Sequence, residues 1–351
     1  MAKTMTSKER VMAAITMQEY DRVPCALSLS YFVARHTGVS IADYISDPDL
    51  YMELQQKTFE DLGGSDMVNI RPPCCADSSD HFAFLPVRVK VPGKTLPADS
   101  IPQYVEKELM GPQDYKIVIE KGWFRYVQEN LIPVAFPKQI APDTSPVKQR
   151  RHDPAWNRRY FEEKDIFIYP DKPISLPFEI LSYARSMEKF LLDLYRRPDM
   201  VLAAMDAVMA DIVDNTLSGI DVSTKTAVIA ANRFSGGFIS PQHFEKFALN
   251  QLLMMVELLV ARDIIVFFHL DQNWTKMLPY FRGFPPGNYV LHLDSTTDIF
   301  KAKEILGDRM CLMGDVPARL FMIGTPRDVE IYCKKLIDTV GRGGGFILGA
   351  G

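Results

Sequence analysis

Residues 310–351 read MCLMGDVPARLFMIGTPRDVEIYCKKLIDTVGRGGGFILGAG, and this stretch decides the fold class. It opens with an apolar run of strand length and continues with a helical pattern, VEIYCKKLIDTV. A glycine-rich turn then leads into a second apolar run. Strand, helix and strand in this order are typical of a parallel α/β unit, because parallel neighbours need a crossover connection. The stretch therefore predicts an α/β fold for the end of the chain.

The same alternation runs through most of the chain. Short, near-continuously hydrophobic runs, as expected for parallel strands buried on both faces, alternate with helical patterns. Eight runs stand out, at 23–30, 66–70, 174–178, 226–232, 264–270, 289–293, 310–316 and 345–351. Eight strands with intervening helices predict a (β/α)8 TIM barrel. The alternative is a doubly wound sheet, which would more often carry a Gly-rich phosphate loop, and no GxGxxG or P-loop pattern occurs.

Two segments interrupt the alternation. Residues 71–125 hold a polar loop and a predicted hairpin that turns at Pro92 and Gly93, and residues 136–166 are rich in proline and charge. Both lie between the second and third predicted strands, and loops of this length are uncommon in compact domains unless functional. We therefore predict a single domain over 1–351 in which residues 71–166 form an insertion that covers the barrel mouth.

Composition narrows the class of protein. Hydrophobic residues make up 47% of the 351 residues and charged residues 24%, which is ordinary for a soluble enzyme. A net charge of −4 argues against nucleic acid or an anionic membrane as a partner. No apolar run approaches the roughly 20 residues of a membrane helix, and no signal-peptide core is present, so a cytoplasmic location is predicted. The vicinal pair Cys74-Cys75 is interpreted as two free thiols.

Polar residues follow nearly every predicted strand. In a TIM barrel the active site forms at the carboxyl ends of the strands, so these residues are the candidates for a functional site. A barrel without a site has no need of two histidines and several acids at one face. In chain order they are Ser28, Ser30, Tyr31, Asn69, Arg71, Glu179, Asn232, Arg233, His269, Asp271, His292, Asp294, Asp298 and Asp315.

The strongest candidate within this set is His269-Leu270-Asp271. Side chains at i and i+2 of an extended segment point the same way, so His269 and Asp271 can share one ion or one proton. Imidazole and carboxylate are both zinc ligands. The alternative is that His269 only forms a hydrogen bond and Asp271 caps a helix at WTKMLPYF. His292 and Asp294 repeat the spacing as further catalytic candidates, although Asp294 and Asp298 are also placed to cap a helix.

The remaining candidates are predicted to bind substrate. Arg233 has the planar fork of a carboxylate clamp, and its alternative role is a salt bridge to a barrel acid. Asp315 is a pocket wall or a loop anchor. Tyr31, Asn69, Arg71 and Asn232 complete the predicted substrate-binding set.

Three segments resemble a known family. They are ISPQHFEKFALNQL at 239–252, HLDQNW at 269–274 and GDVPARLFMIGTPRDVEIYCKKLIDTVGRGGGFIL at 314–348. These resemble the SPEHF-type, H-x-C or H-x-D and GDVPA…GGGFIL segments of the uroporphyrinogen decarboxylase superfamily. The resemblance covers most of the chain, is strongest from about residue 226 onward, and implies a TIM barrel without specifying one reaction.

The true decarboxylases of this superfamily carry an MRQAGRY-type segment whose arginines hold the substrate's carboxylates. The matching stretch here, SLSYFVARHTGV at 28–39, contains Arg35 as its only arginine. Planar bidentate pairing is what recognises carboxylates, so the decarboxylase activity is disfavoured. It is kept as an alternative, as is a non-catalytic barrel homologue.

The resemblance to the corrinoid-dependent methyltransferases, and to their O-demethylase-like members, implies a different reaction. A methyl group would move from an O-methyl donor, a methoxyaromatic compound, to a corrinoid carried by a partner protein. Thiol-methylating members bind zinc through H-x-C and a distal Cys. Here His269 matches the histidine, Asp271 replaces the first Cys, and the distal Cys would fall beyond residue 351. The resemblance thus implies zinc on His269 and Asp271, with carboxylate ligation suited to oxygen chemistry, and is compatible with a homodimer.

Overall fold

The computed structural model describes residues 4–70, 77, 82–137, 153, 155–170, 173–219 and 225–351, with 217–219 as backbone only. Arg71 and the Cys74-Cys75 pair lie outside these residues. Within them the strands are β1 Ala26–Ser28, β2 Met67–Asn69, β3 Arg88–Lys90, β4 Gln103–Val105, β5 Phe167–Ile168, β6 Pro173–Ser175, β7 Thr226–Ala231, β8 Ile265–Leu270, β9 Tyr289–Leu293, β10 Cys311–Val316 and β11 Phe346–Ala350.

The parallel strands follow one another in barrel order. β5, β2 and β1 form one sheet, and β6 to β11 form another in sequence order. A bridge between Cys25 and Leu348 joins the two, and the Leu348 amide donates to the Pro24 carbonyl at 2.9 Å. β5 pairs with β2 and β6 pairs with β7, so these two short strands share the third position of the barrel. The predicted (β/α)8 TIM barrel is confirmed.

The third predicted strand, 174–178, has the wrong bounds. β6 ends at Ser175, and the chain turns into a helix at Pro177. Proline suits the first helical position because its φ is preset and its missing N–H has no helical partner there. Glu179 therefore lies in the first turn of a helix and not at the end of a strand.

The helices are α1 Ser7–Ile15, α2 Phe32–Thr37, α3 Ile41–Ser46, α4 Pro48–Asp61, α5 Asp114–Lys121, α6 Trp123–Tyr126, α7 Ile132–Ala135, α8 Trp156–Glu163, α9 Pro177–Arg185, α10 Met187–Arg196, α11 Pro198–Gly219, α12 Pro241–Phe244, α13 Asn250–Val260, α14 Ile299–Leu306, α15 Ala318–Ile323 and α16 Pro326–Thr339. Two π turns, Val127–Leu131 and Glu245–Leu249, and a 3-10 helix, Leu278–Gly283, complete them. Across the described chain, no helix is long and apolar enough to cross a membrane.

The core lies on both faces of the strands. Phe267 of β8 packs inside the barrel with Val290 and Ile347, and its neighbours Val266 and Phe268 pack outward against the helices. All five of these side chains are buried. Because alternate side chains of a strand point to opposite faces, a strand buried on both faces reads as a continuous apolar run. This is why the runs were visible in the sequence.

The predicted hairpin exists, but its second arm lies later in the chain. β3 pairs antiparallel with β4, and the chain turns through Gly93, whose φ is +74°. A Cβ at Gly93 would lie 2.8 Å from the Ala42 Cβ, so glycine is needed there. Beyond β4, the amides of Leu109 and Met110 donate to the Ala184 carbonyl at 2.9 and 3.0 Å. The insertion is thereby attached to α9, while its coverage of the mouth stays a prediction.

Candidate active site

Two histidines meet at the carboxyl ends of adjacent strands. His269 of β8 and His292 of β9 stand opposite each other in the strand register, and their Nδ1 atoms are 3.2 Å apart. One of these nitrogens must donate and the other accept. The sequence predicted both residues, and the barrel brings them together because neighbouring parallel strands end at the same face.

The surroundings of His292 set the direction of this hydrogen bond. Its Nε2 is 3.4 Å from the Ala350 carbonyl oxygen, and its Nδ1 is 3.4 Å from the Tyr169 hydroxyl. Burial and then the neighbouring His269 lower the pKa of His292 to about 4, so its ring is neutral at pH 7. A carbonyl only accepts, so Nε2 carries the proton and Nδ1 accepts from the other histidine.

His269 consequently donates through Nδ1, and its Nε2 faces Asp271 Oδ1 at 3.4 Å. Burial, followed by the charge of Asp294, raises the pKa of Asp271 from 3.8 to about 6. An unprotonated Nε2 and a carboxylate oxygen are both hydrogen-bond acceptors, so this contact is favourable only if one of the two groups carries a proton. The structure brings together the two residues that the i, i+2 spacing paired.

The alternative role for Asp271, as a helix cap, is wrong. The helix in WTKMLPYF begins only at Leu278 and is a short 3-10 segment. The backbone carbonyl of Asp271 instead accepts from Trp274 Nε1 at 2.9 Å, and the Trp274 side chain is fully buried. This contact fixes the turn that follows β8, at whose start the Asp271 carboxylate lies beside His269.

Asp294 does not repeat the pairing of His269 with Asp271. Its carboxylate accepts from the Gln272 amide at 2.7 Å and from the Thr296 amide and hydroxyl at 2.9 and 2.6 Å. These bonds join the loops that follow β8 and β9, so Asp294 positions the neighbouring loop. Asp298 caps α14 through the Phe300 and Lys301 amides, both at 3.0 Å, as its capping alternative predicted.

A cleft opens beside His292 and encloses about 310 Å³, counted out to its open mouth. Ser28, Asn69, Tyr169 and the backbone of Gly349 and Ala350 line it, so Asn69 and His292 come together as predicted. Tyr31 follows β1 immediately before α2. Sequence reasoning missed Tyr169, although it ends a short β-rich run, FIY at 167–169, that was left outside the eight predicted strands.

A buried carboxyl lies at the next strand ends. Glu179 Oε2 accepts from the amides of Asn232 and Arg233 at 3.3 and 3.0 Å. Its Oε1 and the Asn232 Oδ1 are buried without a hydrogen-bond partner among the residues described. Burial raises the pKa of Glu179 from 4.5 to about 7. At neutral pH this carboxyl is therefore close to half protonated.

Arg233 and Asp315 both contact other side chains of the protein, while the substrate-binding role predicted for each stays a prediction. The Arg233 guanidinium lies 3.5 Å above the Tyr183 ring and forms a salt bridge to Glu106 at 2.5 Å, although this acid belongs to the insertion. Asp315 is buried in β10 and accepts from the Tyr332 hydroxyl of α16 at 3.2 Å, which anchors that helix. Burial raises the pKa of Asp315 to about 7.

His269 and Asp271 supply two donors for a metal ion, whereas a catalytic zinc takes three protein ligands. No group of three or more His, Cys, Asp or Glu residues in the described part of the chain is arranged to hold a metal. These residues alone do not fit a zinc site. The zinc predicted on His269 and Asp271 stays a prediction, and no step of the chemistry below depends on it.

The Glu179→Gln variant is expected to flatten the pH dependence of stability. Between pH 4.5 and about 7 the folded protein keeps a proton on Glu179 that the unfolded chain releases. The free energy of unfolding therefore falls as pH rises through this window, by at most about 3 kcal/mol from this group. Glutamine removes that contribution. Urea unfolding from pH 4.5 to 8 measures it, with Glu188→Gln on the exposed face of α10 as the control. Equal slopes in all three proteins would contradict the prediction.

Comparison with known proteins supports the fold and identifies the family. The family model for uroporphyrinogen decarboxylase (URO-D) matches residues 174–351, which carry β6 to β11 and most of the site. A methyltransferase from Methanosarcina mazei has the same fold, with a TM-score of 0.61 at 20% sequence identity over 99% of this chain and 93% of that one.

Curated relatives match over less of the chain. Uroporphyrinogen decarboxylase of Coxiella burnetii is 21% identical over 166 residues, and that of Hydrogenovibrio crunogenus is 22% identical over 158 residues. These matches cover 45% and 42% of this chain and span 43% of each relative's length. The family model covers half of the chain, including the strand ends that carry His269, Asp271 and His292. The chain belongs to the uroporphyrinogen decarboxylase family.

Proposed function

We propose that this protein is a methyltransferase that moves a methyl group from an O-methyl donor, a methoxyaromatic compound, to a partner corrinoid protein, as one component of an O-demethylase. The observation that carries the proposal is the approach of His269 Nε2 to Asp271 Oδ1, 3.4 Å apart at the end of β8, where the two groups can share one proton. The methyltransferase with the same fold supports it. Removing a methyl group from oxygen requires a proton for that oxygen, and this pair can supply one.

In the proposed reaction the donor loses its methyl group to the reduced corrinoid of the partner, which supplies the electron pair of the new bond. The pair of the broken C–O bond stays on oxygen. The resulting alkoxide or phenoxide takes the proton from the His269–Asp271 pair, and the product leaves as an alcohol or phenol. His292 stays neutral and holds the His269 ring in the donating orientation through the 3.2 Å contact.

The test is a demethylation assay under anoxic conditions. Purified protein is mixed with corrinoid protein reduced to Co(I) and with a panel of methoxylated aromatic compounds. The proposal expects methylated corrinoid and free phenol in equal amounts with at least one donor. If no donor loses a methyl group, while a known methyltransferase in parallel methylates the same corrinoid protein, the proposal fails.

The decarboxylase activity is a second candidate, because the curated relatives that match are uroporphyrinogen decarboxylases. Arg35 is the only arginine in the matching segment and is exposed on α2. The carboxylates of a porphyrinogen would therefore lack the cluster of arginines that recognises them. Release of CO₂ from uroporphyrinogen by the purified protein would favour this candidate over methyl transfer.

Metal content tests the zinc prediction separately. Elemental analysis of the protein after dialysis, beside a His269→Ala variant, measures bound zinc per chain. One zinc per chain that the variant loses would support the predicted ligand role of His269. Less than about a tenth of an equivalent in both proteins would leave His269 and Asp271 as proton-transfer groups, since a catalytic zinc site is present in every active molecule.

A further inference from the structure

Arg233 places a fixed positive charge next to the reaction site. It lies two residues past the end of β7, and β7 pairs with β8 so that Ala231 lies opposite Leu270, one residue past His269. The Arg233 side chain is 14% exposed and lies over the Tyr183 ring at 3.5 Å. Its Nη1 also donates to the Ser182 carbonyl at 3.4 Å. A guanidinium held flat in this way suits a carboxylate, because its fork pairs with two oxygens.

The carboxylate that occupies this guanidinium belongs to the protein itself. Glu106, just beyond β4 in the insertion, accepts from Arg233 Nη2 at 2.5 Å and from the Met187 amide at 2.6 Å. Burial alone would raise the pKa of Glu106, but the bonds from Arg233 and Met187 outweigh it and hold the pKa below its ordinary value. Glu106 is therefore ionised at neutral pH and neutralises Arg233.

A methyl donor that carried its own carboxylate would meet Glu106 at this position. To bind Arg233 it would have to displace Glu106, whose carboxylate would then stand beside the donor without its own cation, and like charges brought together in this way disfavour binding. A neutral donor would leave the salt bridge between Arg233 and Glu106 intact. We propose, on the basis of the proposed function, that Glu106 is a specificity-determining residue that makes the site select methoxyaromatic donors without a carboxylate.

The insertion is attached at other points, so Glu106 can be changed without releasing it. The Ala184 carbonyl accepts from the amides of Leu109 and Met110, and Glu108 forms a salt bridge to Arg185. Glu106→Gln keeps the size of the side chain and an oxygen for the Met187 amide, but removes the charge that neutralises Arg233. Glu108→Gln is the matched control, because it removes a charge from the same segment without touching Arg233.

The experiment compares two donors that differ only in charge, 3-methoxybenzoate and 3-methoxybenzyl alcohol. The ratio of kcat/KM for the benzoate to that for the alcohol is measured with Co(I) corrinoid protein for the wild type and both variants. Glu106→Gln is expected to raise this ratio by about tenfold or more, the effect of one charge pair that is not fully buried. Glu108→Gln is expected to leave it within about twofold, because the Glu108 carboxylate pairs with Arg185 and not with Arg233.

Calorimetric titration of the demethylated compounds, 3-hydroxybenzoate and 3-hydroxybenzyl alcohol, into the protein alone gives a readout that needs no corrinoid. Tighter binding of the benzoate to Glu106→Gln, and not to Glu108→Gln, supports the role of Glu106. An unchanged ratio, or an equal change in both variants, overturns it. If no donor is demethylated, the proposed function fails, and the binding ratio alone decides the role of Glu106.

Discussion

The His269→Ala variant is expected to lose methyl transfer by about 10²–10⁴-fold, the range contributed by a positioned proton donor. His269 links Asp271 to His292 through its Nε2, 3.4 Å from Asp271 Oδ1, and its Nδ1, 3.2 Å from His292 Nδ1. Without the ring, the Asp271 carboxyl loses the group with which it shares this proton and by which it is positioned. Single-turnover methyl transfer from a methoxylated donor to Co(I) corrinoid protein measures the effect.

The matched control is His243→Ala. His243 lies on α12, where its Nδ1 contacts the Ser240 hydroxyl at 3.0 Å and its ring lies beside Tyr195. It is a histidine of the same barrel with no contact to His269 or His292 among the residues described. Methyl transfer by His243→Ala should therefore stay within about threefold of the wild-type rate. A folded His269→Ala protein that keeps more than a tenth of the wild-type rate would show that the proton comes from another group.

Sequence patterns predicted the barrel because each strand carries its own signal. A strand such as β8 is buried on both faces and therefore shows as an apolar run without any knowledge of its neighbours. The prediction failed at the third strand position, because β5 and β6 share that position. β5 has two residues and β6 three, so the apolar residues of this position are split between two separate stretches, and only the second was recognised. Pro177, which begins α9, lay inside the predicted strand for the same reason.

The site was predictable only where chemistry follows from spacing along one strand. His269 and Asp271 share a face at i and i+2, and adjacent strand ends bring His292 to them. Asp294 has the same spacing from His292, but its carboxylate bonds to the Gln272 and Thr296 amides. Nearly every residue supplies a backbone amide, whatever its side chain. Local spacing therefore could not distinguish Asp271, which faces a histidine, from Asp294, which accepts from backbone amides.

Residues from distant segments were missed for a related reason. Tyr169 contacts His292 across 123 positions, and Glu106 contacts Arg233 across 127. Neither contact follows from a period or a motif, because each depends on how the insertion and the divided third strand position lie against the barrel. The carbonyl of Ala350, which fixes the tautomer of His292, is a backbone atom that any residue would supply.

The Asp66→Ala variant is expected to lose about 3–5 kcal/mol of the free energy of unfolding, the usual effect of breaking a buried ion pair. Asp66 directly precedes β2, and its side chain is fully buried. It accepts from Arg10 Nη1 at 2.5 Å, Arg22 Nη1 at 2.7 Å, Ser7 Oγ at 3.0 Å and the Cys25 amide at 2.9 Å. Alanine would leave the buried Arg10 with Asp21 and the Met5 carbonyl, and would remove the link between α1, β1 and β2.

Urea unfolding followed by tryptophan fluorescence measures this loss, with Asp61→Ala as the matched control. Asp61 is an exposed aspartate of α4 that pairs with Lys57 at 2.5 Å, and such surface pairs contribute less than about 1 kcal/mol. Similar losses in both variants would show that the buried network does not stabilise the first two strands.

Acid provides a second, independent check of the same network. Burial acts to raise the pKa of Asp66, but the bonds from Arg22 and Cys25 outweigh it and hold the pKa below the ordinary value of 3.8. As pH falls toward 3.8, the unfolded chain takes up a proton at this position before the folded protein does. The contribution of Asp66 is therefore present above about pH 4 and lost below it. The difference in unfolding free energy between wild type and Asp66→Ala should accordingly be constant from pH 5 to 7. It should shrink as the solution becomes more acidic, because the wild type then loses the stabilising contribution of the Asp66 carboxylate, which the variant lacks at every pH.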